Sequence, residues 1–557
     1  MRGIDGGTLV LINGVPASFN NVNHLDMLNL DEVERVEIVK GGGAVLYGSE
    51  ALGGVVNIIT KDQMKNSLRV AAGNKGQRDY AATIGMGKAS LALGRNEFGS
   101  TGNMTERLGT RKINGTDVPY YIGFGDSKKD HLAFNYKFDD RFKFSYMFNK
   151  KKYTTNYNDV NENILQHFMY DDREYFAQIA YNDENGWDAK IYYNQRRIEN
   201  PDYYVVNPTN VEWEKSDHKQ YGLDTKKVWR SDKATGLIGI SAKRETYKND
   251  NQKFKTFGDS SSILKDPAHF GTYALNNYSV YGSYDRKLSR ATNIIFSARE
   301  DLIRSEAGDY NEFLPQIQAI TKFDEHNSVY ASVGKSFRMP TFRNLYYASS
   351  VVVPNPDLEA EHGWNYEIGY KYSENGRRLN LTAFRIDIKD QIVAVKNLVD
   401  NQSYQTNAAK YRNTGIELRY EQDVDKHFTY NVGAVFAKPQ RMYKEGQAWI
   451  DTLGRYQING GVNYVNRDFS AALNLSYWGN RFKNGVSSEK ITVTEISSPL
   501  LVSNLHLGYN VAKNVTATFD VDNLFNRKDI ANVGGTSNNN LYYTMGRTFR
   551  VGVNYNF

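Results

Sequence analysis

Apolar and polar residues alternate with a period of two through most of this chain. Phe142, Phe144, Tyr146 and Phe148 interleave with Lys143, Ser145, Met147 and Asn149, and Leu132, Phe134, Tyr136 and Phe138 form a similar row. Near the end, Phe549, Val551, Val553, Tyr555 and Phe557 interleave with Thr548, Arg550, Gly552, Asn554 and Asn556. In an extended strand, period two sends successive side chains to opposite faces. Apolar-out, polar-in rows sustained over many long segments predict a barrel wall in lipid. A soluble sandwich does not sustain the pattern through so many long strands.

The links between rows fall into two classes. Short turns are expected at Asp139-Asp140, Asp183 to Asn185, Ser231 to Lys233, Leu288-Ser289, Asp324-Glu325, Asn375-Gly376 and Asn466-Arg467. Long polar loops are expected at about 96–126, 153–172, 198–217, 247–272, 337–362, 391–410, 438–452, 481–499 and 525–545. Short and long alternate, as periplasmic turns and extracellular loops do in outer-membrane barrels. The fold class read from this is all-β, a transmembrane antiparallel barrel of roughly 22 strands, a size that holds a plugged lumen. An even count returns both ends of the wall to one side.

Residues 1–62 are of another kind. Leu9 to Ile12 predicts a strand and Gly14-Val15-Pro16 a turn, with Phe19 to His24 a polar loop. Asp31-Glu32 is placed to cap a short element before a strand carrying Val33, Val36, Ile38 and Val39. Gly41, Gly42 and Gly43 permit backbone angles that other residues avoid, and Gly53-Gly54 precedes a second apolar strand, Val55 to Ile59. The expected partition is 1–62 as a unit in the lumen and 63–557 as the wall.

Composition sharpens this picture. The 557 residues include 40 Tyr and 27 Phe but 11 Pro and no Cys. Tyr and Phe suit pleated surfaces and membrane interfaces. Mean hydropathy is −0.61, and there is no apolar run long enough for a transmembrane helix, which a barrel does not need. A net charge of +6 gives no case for nucleic acid. The nine His stand singly, without a His-Glu-x-x-His pair or Cys partners, and no Gly-x-Ser-x-Gly elbow occurs. No enzyme, metal centre or resident cofactor is expected.

The stretch Val33-Glu-Arg-Val-Glu-Ile-Val-Lys-Gly-Gly-Gly-Ala-Val-Leu-Tyr-Gly-Ser-Glu-Ala-Leu-Gly-Gly-Val-Val-Asn-Ile-Ile-Thr-Lys61 resembles the second half of the plug domain of TonB-dependent outer-membrane receptors. Thr8-Leu-Val-Leu-Ile-Asn-Gly-Val-Pro16 resembles that family's "VLVLIDGVP". Asn13 stands where the family usually has Asp, and Lys40-Gly41-Gly42 replaces Arg-Gly-Pro. Further matches are Ser336-Phe-Arg-Met-Pro-Thr-Phe-Arg-Asn-Leu-Tyr346 with Asn355-Pro-Asp-Leu358 and Glu361, then Val521-Asp-Asn-Leu-Phe-Asn-Arg527 and Gly546-Arg-Thr-Phe549.

The resemblance implies a receptor in the outer membrane of a diderm bacterium, importing a scarce chelate with energy from the TonB complex. Its cargo would be an iron chelate or a corrinoid, with haem less favoured because no His lies between Pro340 and Asn355. Ligand-binding candidates are Phe19, Asn20, His24, Arg338, Tyr346, Tyr347 and Trp364. Plug–barrel contacts are expected between Arg35 and Lys40 on the plug and Glu367 and Glu417 on the wall. Terminal Phe557 looks like the signal read by the barrel assembly machinery. Arg2-Gly3 resembles a pair inside the plug, which implies that Met1 is an internal position of a longer protein carrying the TonB-binding box. On that reading the chain alone would conduct passively, so a pore and a surface-binding barrel stand beside the import reading.

Overall fold

The computed structural model describes residues 1–557 apart from 1, 3, 5–6, 20–21, 24–27, 42–43, 114, 206–210, 214, 251, 255–262, 265–269, 349–351, 401, 487–490, 497 and 535–539. A closed antiparallel wall of 22 long strands runs from Ser67–Gly73 to Thr548–Asn556. The last strand pairs with the first, Val551 opposite Ala72 and Val553 opposite Val70. Closure leaves no unpaired edge, which a wall in hydrocarbon requires. The rows expected to face lipid do so: Ile368, Ile416, Val551 and Val553 are exposed on the outside.

The short turns are built on Asx side chains that close the backbone locally. Asp139 accepts hydrogen bonds from the Arg141 and Phe142 amides at 2.8 Å, and Asp324 from His326 and Asn327 at 2.7 Å. Asp425 does the same for His427 and Phe428 at 2.7 and 2.8 Å, a short turn additional to those expected from the sequence. At the other end, much of what reads as loop is strand. Phe142–Asn158 pairs with Ile164–Asn182 as far as Asn158 opposite Ile164, and Arg377–Lys396 with Ser403–Asp423 as far as Lys396 opposite Ser403. Backbone pairing continues beyond the hydrocarbon, where the outward row need no longer be apolar, while Thr154, Asn156 and Asn158 still point inward and are buried.

Inside the wall, residues 8–60 form a small sheet. Its strands are β1 (Thr8–Ile12), β2 (Val15–Pro16), β3 (Val33–Lys40) and β4 (Gly54–Thr60), ordered β2-β1-β4-β3, with β1 and β4 parallel. A one-turn helix α1 (Ala44–Tyr47) joins β3 to β4. The β1–β2 turn is Asn13-Gly14, one residue earlier than expected. Both residues have positive φ, 51° and 80°, the geometry of a two-residue hairpin that favours Asn-Gly. Asn13 also bonds Thr60 twice, donating to its hydroxyl and accepting from its amide, both at 2.9 Å.

Three buried clusters join this sheet to the wall. Ile12, Val15 and Ala17 pack with Ala92, Ala133, Met147 and Phe176. Val45 packs with Ile303, Leu314, Phe337 and Phe342. Ile4 and Leu52 pack with Phe384, Ile386 and Tyr411. The clusters lie on different sectors of the wall, so the sheet is held inside the barrel. Outer strand β3 is the exception: Val36, Ile38 and Val39 are open to the lumen.

Candidate functional site

The inner sheet meets the wall through charges as well as methyl groups. On one side, Glu367 and Glu417 point inward from adjacent sectors, as their outward neighbours Ile368 and Ile416 require. The Arg2 guanidinium lies between them, contacting Glu367 through Nη1 and reaching Glu417 Oε2 at 3.4 Å, all three side chains being buried or nearly so. The same guanidinium stacks on Phe384 at 4.4 Å, and Asn413 donates to the Arg2 carbonyl at 2.7 Å. Lys40 contacts the other Glu417 oxygen. Gly41 follows with φ of +70°, and a Cβ there would lie 1.8 Å from Glu367 Oε1. Lys40-Gly41 is thus one device: the lysine reaches Glu417 while the glycine makes room for Glu367.

Arg35 takes no part in this tie. It stands exposed on β3 and pairs with its own strand's Glu34 and Glu37 at 3.2 and 3.0 Å. The wall's acidic pair is met by the expected Lys40 and, in place of Arg35, by Arg2. Strand parity fixes which wall residues face inward, but not which inner residue lies opposite them.

A second tie surrounds Glu50. Ser18 donates to its carboxylate at 2.6 Å, and the wall presents Lys243, Glu245 and His218 alongside. Burial, above all, holds the Glu50 carboxyl above its ordinary range, with Lys243 opposing. Phe19 sits here, buried, its ring 4.9 Å from that of His218. Three successive wall strands also offer an inward amide to the inner chain's carbonyls. Gln178 donates to Asn13 O at 3.4 Å, Asn194 to Pro16 O at 2.7 Å and Gln220 to Ser18 O at 3.0 Å. A third tie joins Glu32 to His131, both buried, with Asn149 on the other ring nitrogen at 2.7 Å.

The segment after the strand Asn327–Arg338 braces the inner helix. Arg338 pairs with buried Glu361 at 2.6 Å, and the Met339 amide donates to Ser49 Oγ at 3.2 Å. A short helix α2 (Phe342–Tyr346) follows, capped by Thr341 with Asn344. Tyr346 stacks face to face on Tyr273 at 3.8 Å, and Arg343 lies over the Tyr347 ring at 4.3 Å. Burial pushes the Tyr346 phenol up to about 12, so it stays a neutral group at any physiological pH. His362 is engaged by Glu312 at 2.8 Å and faces Asp390 at 3.7 Å.

Of the expected ligand residues, Tyr346 ends α2 and Tyr347 is its C-cap, while Arg338, four residues before the helix, is held in its ion pair with Glu361. Trp364 stands apart: it faces outward and stacks on Tyr366 with centroids 6.4 Å apart. The parity it shares with Ile368 carried that signal. Asn20 and His24 lie outside the described residues. Among the described residues no group of His, Asp or Glu is arranged to hold a metal.

A closed wall of this size, with a small sheet tied inside it and apolar rows facing out, defines a plugged barrel of the outer membrane. The family model described as TonB dependent receptor-like, beta-barrel matches residues 111–524, and the TonB-dependent Receptor Plug Domain model matches residues 1–55. The chain belongs to the TonB-dependent receptors, which are receptors and not enzymes. Among solved structures it is similar to a point mutant of the ferric enterobactin receptor PfeA from Pseudomonas aeruginosa, with TM-score 0.77 at 17% identity over 100% of this chain and 91% of that one. The siderophore receptor PirA from Acinetobacter baumannii gives 0.73 at 15% identity, over 100% and 92%. FpvA of P. aeruginosa, bound to a heterologous ferric pyoverdine, gives 0.72 at 14% identity, over 100% and 80%.

Proposed function

We propose that this receptor imports a ferric siderophore through the outer membrane, with energy delivered by the TonB complex. The observation that carries the reading is the set of ties between plug and wall: Arg2 and Lys40 on Glu367 and Glu417, and Glu50 beside Lys243. A plug held by a few charge clusters and wall amides is secure at rest and releasable by force, since breaking them exposes charges that water can then solvate. A passive pore has no use for such ties. Family membership and the similar structures, two of them receptors for named siderophores, favour iron chelates over a corrinoid. His362, already engaged by carboxylates, is poorly placed to serve haem.

The outer vestibule supplies recognition. Flat tyrosine faces at Tyr273, Tyr346 and Tyr347, with Arg343, suit an aromatic, anionic chelate. The test is uptake of radiolabelled ferric siderophores by a diderm host stripped of its own receptors. Uptake that requires both this chain and an intact TonB complex supports the reading. Equal uptake with TonB deleted refutes it.

A further inference from the structure

The lipid-facing side of the wall carries a feature that import does not use. Across six consecutive strands, from Phe142–Asn158 to Phe270–Lys287, lies a shallow hollow of about 690 Å³. Small Ala177 and Ala242 make its floor, and Phe144, Tyr221, Leu223 and Tyr278 its flanks. Two alanines in the outward row leave room here that an apolar chain fills well, as Gly282 and Ala298 do in a second hollow of about 550 Å³ further round the wall, which has no basic side chain in its lining.

Directly toward the long-hairpin end the same outward rows become basic. Arg244 follows Ala242 by two positions, Lys219 precedes Tyr221 by two, and Arg173 precedes Ala177 by four. Arg244 lines the hollow itself, and at about 3.3 Å per residue Lys219 and Arg173 stand roughly 7–13 Å above it. Arg197 and Lys150 complete the group. Four of these five cations share three carboxylates: Arg173 and Lys150 meet Asp171 at 2.8 and 3.7 Å, Arg197 meets Glu199 at 3.1 Å, and Lys219 meets Asp217 at 3.6 Å. Arg244 donates to neutral Asn276 at 3.0 Å. The four side chains paired to carboxylates keep 30–39% of their surface exposed, so the positive surplus faces the headgroup layer of the outer leaflet.

The geometry points to a binding site for a phosphorylated glycolipid of the outer leaflet, with an acyl chain in the hollow and its phosphates on Arg244, Lys219 and Arg197. Apolar room and surplus cationic charge lie at matching depths on the same strands, which is the form of a lipid with an anionic head. A free anion leaves the hollow empty, and a neutral lipid leaves the cations unanswered.

Native mass spectrometry of the full chain in detergent, titrated with diphosphorylated lipid A, tests this. R197Q/K219Q/R244Q is expected to weaken retention about fivefold per charge removed. A242W, which fills the hollow and keeps all five cations, is expected to weaken it independently. R378Q, near a short turn at the other rim, leaves it unchanged, and heat-modifiable electrophoretic mobility checks that each variant is folded. Lipid A stripped of phosphate is expected to bind weakly. Retention by folded R197Q/K219Q/R244Q and A242W equal to that of the parent overturns the proposal, as does phosphatidylglycerol binding as tightly as lipid A.

Discussion

Arg2 is the buried cation in the plug's tie to Glu367 and Glu417. Its guanidinium answers two buried carboxylates, so Arg2→Ala leaves Glu367 and Glu417 facing each other without it. Breaking a buried pair from one side costs about 3–5 kcal/mol. Lys40→Ala removes a half-exposed partner and is expected to cost only about 0–1 kcal/mol. Urea-induced release of the plug, followed by protease access to β3, separates the two: a similar midpoint for both variants contradicts the assignment of Arg2 as the main tie. Gly41→Ala is expected to destabilise as well, because positive φ and the approach of Glu367 act together.

Glu50 sets a sign for pH. Its native carboxyl is held above the ordinary range by burial, so the docked plug keeps a proton that the released chain gives up sooner. That contribution is full below the ordinary carboxylate value and is lost as pH rises through the raised one. Glu50→Gln keeps an acceptor for Ser18 and removes the titration. Its plug-release midpoint is expected to be flatter across the mildly acidic range than that of the parent; an unchanged slope assigns the pH dependence to other groups.

At the scale of elements, the wall strands were legible because lipid imposes a rule on every second residue. Val551, exposed on the outside, is the direct case. Val551→Arg is expected to cost about 2–4 kcal/mol near the bilayer midplane, and inward Asn554→Arg less, measured by folding into bilayers. Equal yields contradict the face assignment. The rule ends where the hydrocarbon ends, which is why the upper parts of Phe142–Asn158 and Arg377–Lys396 read as loops. It also assigns Trp364 to the outer face through its parity with Ile368, against the expectation that it meets ligand. Wall amides such as Gln178, Asn194 and Gln220 carried no such signal: inward polar residues are common, and only the fold shows which of them face a plug carbonyl.

For the whole molecule, the plug's likeness to its family gave the architecture and Lys40 as a partner for the wall carboxylates, while Arg2 between Glu367 and Glu417 came only from the three-dimensional arrangement. Arg35 has the charge and the strand, but the wrong face; Arg2 has the place. The account holds that cargo passes when these ties release under TonB-delivered force. The chain has no Cys, so two introduced thiols report on this tie alone. The deciding measurement is TonB-dependent uptake of a radiolabelled ferric siderophore by K40C/E417C, with the two thiols joined by a short, reducible bis-methanethiosulfonate. The account predicts that the joined receptor binds the chelate at its surface without importing it, and that reduction restores uptake. Import by the joined receptor at the rate of the reduced one contradicts it.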